Sequence, residues 1–231
     1  MFTFAMLSLC INYRVRHGRM PESPFIYLLN CKPLDDSDFK DIPKVIAKEL
    51  LPEYIRYIHC GDESSAQQVL SELHDNIKGA VSVDDTDKYF FVFGYQRAEE
   101  LKSEIKLSQG DDIDSLFNLM KNGSNKPQLS PKELFHLIVK AGAKQGVHVI
   151  LWQDSYKALE QDDNNIMSYF NLKVAFDMSP EEFSRSVGEN DISLLSENNA
   201  IYYNKARDNQ KFRPYQAPDE EWLKGISMKL H

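Results

Sequence analysis

Residues 89–101 are the stretch of the sequence where chemistry is most expected. The apolar run YFFVFG at 89–94 is flanked by charged residues, which is typical of a strand buried on both faces of a parallel sheet. In nucleotide-hydrolysing α/β proteins such a strand ends in Asp, often followed by Glu, and these acids hold the metal ion and activate water. Here Gly94 and Tyr95 stand at those two positions. The strand is therefore suited to a nucleotide site, but its acids are missing.

Other motifs that could carry catalysis or metal binding are absent from the sequence. There is no GxxxxGK[ST] phosphate loop, no GxGxxG, no GxSxG and no HExxH, and the six histidines show no metal-ligand spacing. The paired acids at 99–100 and 181–182 suit the first turns of helices, and His148 is interpreted as a hydrogen-bonded core residue. The three cysteines are distant in sequence and predict buried reduced thiols with no metal site: Cys10, Cys31 and Cys60.

Composition limits the classes of function. The chain has 231 residues, a net charge of −8 and 42% hydrophobic residues, which indicates a globular protein and argues against a free-standing nucleic-acid binder. Four basic residues near the C-terminal end are a weak nucleic-acid footprint: Lys205, Arg207, Lys211 and Arg213. The first ten residues lack the basic start of a signal peptide, and no membrane segment is found. A cytoplasmic location is expected.

Alternating apolar runs and helical periodicities predict the elements that must position these residues. An α/β fold with a mostly parallel sheet flanked by helices is expected, in a single domain over 1–231 with a polar, exposed connection at about 102–128. Strands are predicted at 24–30, 54–60, 89–94, 147–152, 170–178 and 200–203, with an edge strand at 211–215. The first predicted helix, 2–17, lacks a capping residue before it, which hints that a segment once preceded it.

The second half of the chain carries a more specific pattern. Residues 143–153, AKQGVHVILWQ, form a helix end, then G-[IV]-H-[LV]-[VI]-L and a polar Gln at the strand tip. Residues 172–179, LKVAFDMS, are followed by Ser184 and Arg185, and residues 189–203 complete the order. These segments resemble the FtsK/SpoIIIE-like DNA translocase ATPases of the HerA/FtsK superfamily of P-loop NTPases. The resemblance covers about residues 89–215, and residues 2–60 by pattern only.

The resemblance implies a three-layer P-loop NTPase-like fold of the RecA/ASCE type that is N-terminally truncated. In that family the helix corresponding to 2–17 follows the phosphate loop. The strand that feeds the loop normally lies between the strands corresponding to 89–94 and 147–152. Without it, buried backbone groups would be unpaired. We therefore expect these two strands to pair with each other, or another chain to lie between them.

The same resemblance implies roles for individual residues. Gly94 and Tyr95 occupy the Walker B acid positions, Gln153 matches a nucleotide sensor, and Arg185 matches an arginine at a subunit interface. Arg97 is a candidate substitute charge beside the site. An intact family member is expected to use ATP and Mg²⁺, but no cofactor is predicted for this chain alone. No catalytic residue and no metal ligand are assigned.

Three functions stay open on the sequence. The first is a portion of a FtsK/SpoIIIE-like ATPase that does not hydrolyse ATP by itself. The second is a degenerate, non-catalytic assembly or partner-binding domain of the same fold, and the third is an unrelated α/β binding domain. The expected partners are further copies of the chain or the missing N-terminal portion of a parent protein, with DNA reached through the parent assembly. The sequence does not decide between DNA and protein as cargo.

Overall fold

A computed structural model describes eight segments of the chain. They are residues 2–31, 42–79, 86–104, 129–157, 166–187, 199–204, 207–214 and 218–230. Most of the predicted polar connection, residues 189–198 of the 189–203 motif and Lys205 lie outside the described residues.

Four parallel strands form the central sheet, and the predicted α/β class is confirmed. The strands are β1 Ile26–Asn30, β2 Ile55–His59, β3 Lys88–Phe93 and β4 Val147–Trp152, in the order β2-β1-β3-β4. The α-helices are α1 Phe2–His17, α2 Ile42–Val45, α3 Glu63–Ile77, α4 Glu99–Lys102, α5 Pro131–Ala141, α6 Pro180–Val187 and α7 Glu220–Leu230. A π-helical turn, Ile46–Leu50, continues α2, and 3₁₀ turns occur at Tyr95–Arg97, Gly142–Gln145 and Ile166–Tyr169.

Helices cover both faces of this sheet and make three layers. All five residues of β1 are buried, as expected for a strand with neighbours and helices on every side. Its side chains alternate: Tyr27 and Leu29 pack with α3 and α5, whereas Ile26 and Leu28 pack with α1 and α7. Each face therefore has its own hydrophobic core, and the sheet holds the two together.

Local sequence signals determine where α3 and α5 begin. Asp62 caps α3 by accepting a hydrogen bond from the Ser65 amide at 3.0 Å. Ser130 and Glu133 form a reciprocal capping box at the start of α5, at 3.3 Å and 2.8 Å. Each pair satisfies amide groups that a helix start leaves without partners.

Strands β3 and β4 pair directly with each other. Their register runs from Lys88 opposite Val147 to Phe93 opposite Trp152. The first of the two expected arrangements, direct pairing, is thus the one observed. It satisfies the backbone groups of both strands along their length.

A second, antiparallel sheet follows, which the sequence did not predict as a separate unit. Strands β5 Leu172–Ala175, β6 Ala200–Asn204 and β7 Arg207–Phe212 lie in the order β5-β6-β7. The ring of Phe176, just after β5, lies 5.4 Å from that of Trp152 at the end of β4. Among the described residues, no helix combines the length and hydropathy needed to cross a bilayer.

Candidate functional site

The carboxyl ends of the four parallel strands meet at one edge of the central sheet. Cys31 follows β1, Cys60 follows β2, Gly94 follows β3 and Gln153 follows β4. Ligands of open α/β sheets bind outside this edge. It is therefore the place where the candidate residues of β3 and β4 must be judged.

Gly94 has a backbone that excludes a side chain. Its φ of 82° and ψ of 51° lie in the left-handed region, which favours glycine. A Cβ atom there would lie 2.7 Å from the carbonyl oxygen of Cys31 and 2.8 Å from Nη2 of Arg97. A carboxylate residue cannot occupy this position without movement of the β1 backbone.

Tyr95, at the second acid position, belongs to the hydrophobic core. Its side chain is 2% exposed and stacks on Phe135 of α5 with ring centroids 5.5 Å apart. The ammonium group of Lys102 lies 5.4 Å from the Tyr95 ring centroid. The Tyr95 side chain therefore packs the turn after β3 against α5.

Arg97 connects the turn after β3 to both neighbouring strand ends. Its Nε donates a hydrogen bond to the Cys31 carbonyl oxygen at 2.6 Å, and its Nη1 lies 2.9 Å from Oδ2 of Asp154. Asp154 also accepts hydrogen bonds from the Gln96 amide and, at 3.2 Å, from Trp152 Nε1. A positive charge paired with a carboxylate thus lies beside the Walker B position.

Gln153, the candidate sensor, directs its amide nitrogen into the protein. The nitrogen donates to the carbonyl oxygen of Ser155, and the buried Oε1 has no partner among the described residues. The Oε1 atom of Gln96 is also buried without a partner among the described residues, while its amide nitrogen donates to Asp154. Both Oε1 atoms are buried, so neither is exposed to a ligand at this edge of the sheet.

Arg185, the candidate interface arginine, lies on α6. Its Nη2 is 2.7 Å from Oε1 of Glu181, one turn earlier on the same helix, and its side chain is half-exposed. The two residues form an i,i+4 ion pair of a common surface type. Contact with another subunit stays a prediction. Gly94, Tyr95, Arg97 and Gln153, by contrast, lie together at the ends of β3 and β4.

A group of three side chains at the same edge was missed by the sequence analysis. The Sγ atoms of Cys31 and Cys60 and a carboxylate oxygen of Glu100 all lie within 4.8 Å of one another. Cys31 and Glu100 are buried, while Cys60 is exposed, which corrects the expectation of three buried thiols. Burial, and then the Glu100 carboxylate, raise the pKa of the Cys31 thiol.

Residues 99–100 lie in the first turn of α4, as predicted, but their burial differs. Glu99 is exposed and lies 3.5 Å from the Lys102 ammonium, whereas Glu100 is 3% exposed. His148 differs from its prediction as a core residue, being partly exposed and 3.7 Å from Asp87. Residue spacing cannot reveal the thiol group, because its members become neighbours only through the strand order β2-β1-β3.

Comparison with known proteins places the fold. No family model matches the sequence, and no curated protein sequence matches it. The structure is similar to the cytoplasmic domain of the Thermomonospora curvata type VII secretion ATPase EccC, with a TM-score of 0.50 and 14% identity. The match covers 91% of this chain and 24% of that chain, so this chain spans about a quarter of its neighbour. The chain therefore shares the α/β fold found in that secretion ATPase.

Proposed function

We propose that this chain is a non-catalytic domain with a FtsK/SpoIIIE-like ATPase fold, which serves assembly or partner binding and does not hydrolyse ATP by itself. The observation that carries the proposal is the backbone at Gly94. Its left-handed conformation and the Cys31 carbonyl 2.7 Å from a Cβ position leave no room for the metal-binding acid. The fold similarity to a secretion ATPase supports the ancestry.

Charge at the strand tip supports the same conclusion. Mg²⁺ in phosphoryl transfer is held by carboxylate or hydroxyl oxygens and by the phosphates themselves. At the end of β3 the guanidinium of Arg97 lies 2.8 Å from a Cβ atom built on Gly94, and its positive charge repels a divalent cation. Its partner Asp154 already accepts from Arg97, Gln96 and Trp152. Binding a metal there would require this network to break.

The strand order supports the proposal from a different direction. In the family that the sequence resembles, the strand feeding the phosphate loop lies between the equivalents of β3 and β4. Here β3 and β4 are hydrogen-bonded to each other over six residue pairs. Inserting a strand would require those hydrogen bonds to be replaced by two new ladders.

The alternative is a portion of a FtsK/SpoIIIE-like ATPase whose phosphate loop and acids come from elsewhere, either from a parent chain or from a second subunit. The resemblance of residues 143–153 favours it. Under this alternative ATP and Mg²⁺ bind only in the larger assembly, and DNA is a partner of that assembly. The role of Arg185 at a subunit interface also belongs to this alternative.

Nucleotide binding separates the two. We expect isothermal titration of the 231-residue chain with ATP and Mg²⁺ to show no saturable heat up to ~1 mM, the upper end of ordinary substrate affinities. Release of phosphate should stay at the buffer rate. Saturable, Mg²⁺-dependent binding by the chain alone contradicts the proposal. Binding that appears only with a chain extended to include an in-frame GxxxxGK[ST] upstream of Met1 supports the alternative.

A further inference from the structure

We infer that Cys31, Cys60 and Glu100 form a binding site for one soft or borderline divalent cation, with zinc as the first candidate. The inference does not depend on the proposed function. It rests on the identity of the three ligand groups, on their separations, and on the burial of a carboxylate that has no cationic partner among the described residues.

The three groups come from neighbouring parts of the sheet. Cys31 directly follows β1, Cys60 directly follows β2, and Glu100 lies on α4, seven residues after the end of β3. Because β2, β1 and β3 are adjacent and parallel, their carboxyl ends converge at one place. A cation there would connect three segments that are distant in sequence.

The separations fit a tetrahedral ion. Sulfur lies about 2.3 Å and carboxylate oxygen about 2.1 Å from zinc, so two such ligands lie about 3.6 Å apart. The Cys31 Sγ and Glu100 Oε1 atoms are 3.6 Å apart. All three ligand atoms fall within 4.8 Å of one another, so the Cys60 sulfur needs only a small side-chain adjustment to complete the set.

Glu100 is placed as a ligand rather than as a surface acid. It is 3% exposed, and a buried carboxylate costs free energy unless it is paired. Among the described residues it accepts from the Gly61 amide at 3.1 Å and from the Cys31 thiol, and it makes no ion pair. A divalent cation would supply the missing positive charge.

The surroundings supply orientation and access. The Gly61 amide donates to the Glu100 carboxylate and orients it, and such an outer contact fixes the direction of a metal ligand. The Cys60 thiol donates to the Arg97 carbonyl oxygen at 3.6 Å, and it gives up that proton and that hydrogen bond when it binds zinc as a thiolate. Cys60 is exposed and gives the ion an entry path, with a water molecule as the fourth ligand. Two sulfurs and one oxygen favour zinc over Mg²⁺ or Ca²⁺, which prefer oxygen ligands.

The third cysteine provides a matched control. Cys10 lies on α1 in the opposite core of the sheet and is fully buried. The test uses the untagged 231-residue chain, reduced with a phosphine, freed of metal with a chelator and dialysed against zinc. Bound zinc is then counted by mass spectrometry. We expect one zinc per chain for the natural sequence and for Cys10→Ser.

Substitution of the ligands should weaken binding. Three substitutions should each lower the zinc affinity at least about tenfold: Cys31→Ser, Cys60→Ser and Glu100→Gln. Cys60 is exposed, so its substitution should disturb the fold least. Zinc should raise the Tm of the natural chain and of Cys10→Ser by several degrees, and Cys60→Ser should lose that rise. With cobalt in place of zinc, a thiolate-to-cobalt absorption band should appear and should vanish in Cys60→Ser.

Two results overturn the inference. One is a natural chain that retains less than one zinc, or whose zinc affinity equals that of Cys60→Ser and Glu100→Gln. The other is a count of only one free thiol after unfolding without reductant, together with failure to bind zinc after reduction. That combination would mean that Cys31 and Cys60 serve as a disulfide pair.

Discussion

The guanidinium of Arg97 and the carboxylate of Asp154 join the ends of β3 and β4, with Nη1 and Oδ2 2.9 Å apart. The same guanidinium holds the end of β1 through the Cys31 carbonyl oxygen. One side chain thus connects three of the four parallel strands at the carboxyl edge of the central sheet. Arg97 therefore holds the three strand ends together. Its guanidinium also occupies the space that a side chain at Gly94 would need.

A double-mutant cycle of Arg97→Ala and Asp154→Ala should give a coupling free energy below about 1 kcal/mol. The two side chains are 33% and 53% exposed, and solvent screens ion pairs of that kind. Each single substitution also removes hydrogen bonds outside the pair, which the cycle subtracts: Arg97→Ala loses the bond to the Cys31 carbonyl oxygen, and Asp154→Ala loses those from Gln96 and Trp152. Urea unfolding measures each value, and raised salt should lower the coupling.

The control pair for this cycle is Arg185 and Glu181. They form an exposed ion pair within α6, for which about 0.3–0.5 kcal/mol is ordinary. A coupling free energy well above about 1 kcal/mol for Arg97 and Asp154 would contradict the screening expected for this pair.

Gly94→Ala should destabilise the protein more than Gly18→Ala. Both glycines have a positive φ, 82° and 71°, so both variants incur the cost of a left-handed alanine, about 1–2 kcal/mol. Only at Gly94 does the added Cβ meet a backbone atom, the Cys31 oxygen at 2.7 Å, whereas Gly18 has open space. We expect an extra loss of about 1–3 kcal/mol at Gly94.

Unfolding free energies from urea titration decide this comparison. If the two alanine variants are equally stable, β1 yields without cost and the position could accept a carboxylate. That outcome would remove the main support for a silent hydrolytic site. A larger loss at Gly94, with the m-value unchanged, attributes the difference to strain in the folded state.

The central sheet could be predicted because its signals are local. The runs at 24–30, 54–60, 89–94 and 147–152 are short and apolar, and each coincides with a parallel strand. Direct pairing of β3 with β4 was one of two arrangements expected from the need to satisfy buried backbone groups, the other being a second chain between them.

The thiol group and the second sheet could not be predicted, because both depend on how the elements associate. Glu99 and Glu100 are adjacent and chemically identical, yet one is exposed and the other buried. Only the packing of α4 against its neighbours distinguishes them. Cys60 is exposed because it lies beyond the end of β2, an outer strand of the described central sheet that is only partly buried.

Asp62→Ala should cost about 1 kcal/mol at neutral pH, since it removes the cap of α3. Hydrogen bonds from Ser65 lower the pKa of Asp62 below its ordinary value. A lowered folded pKa stabilises the protein above the unfolded pKa of about 4 and loses that effect as the pH falls. The advantage of the natural chain over Asp62→Asn should therefore shrink between about pH 5 and pH 3.

The Asp62→Asn variant is the matched control, because asparagine caps a helix about as well but does not titrate. Thermal unfolding at a series of pH values gives the comparison. A difference between the natural chain and Asp62→Asn that stays constant down to pH 3 would show that the charged form of Asp62 gains nothing from the cap.

Cys10→Ala should weaken the dependence of stability on alkaline pH. Burial raises the pKa of the Cys10 thiol from 9.0 to about 12, so the unfolded chain releases this proton at a lower pH than the folded chain. The stabilisation is complete below about pH 9 and is lost progressively between about pH 9 and 12, by at most ~1.4 kcal/mol per pH unit.

The alanine variant should be less stable than the natural chain at pH 7, because it loses a buried sulfur. Its free energy of unfolding should decrease more slowly above pH 9. Burial also raises the pKa values of Tyr27 and Cys31, so part of the slope should remain. Urea unfolding at pH 7, 9 and 10.5 measures the free energy of unfolding of the natural chain and of Cys10→Ala. If it decreases equally with pH in both, the pH dependence does not come from Cys10.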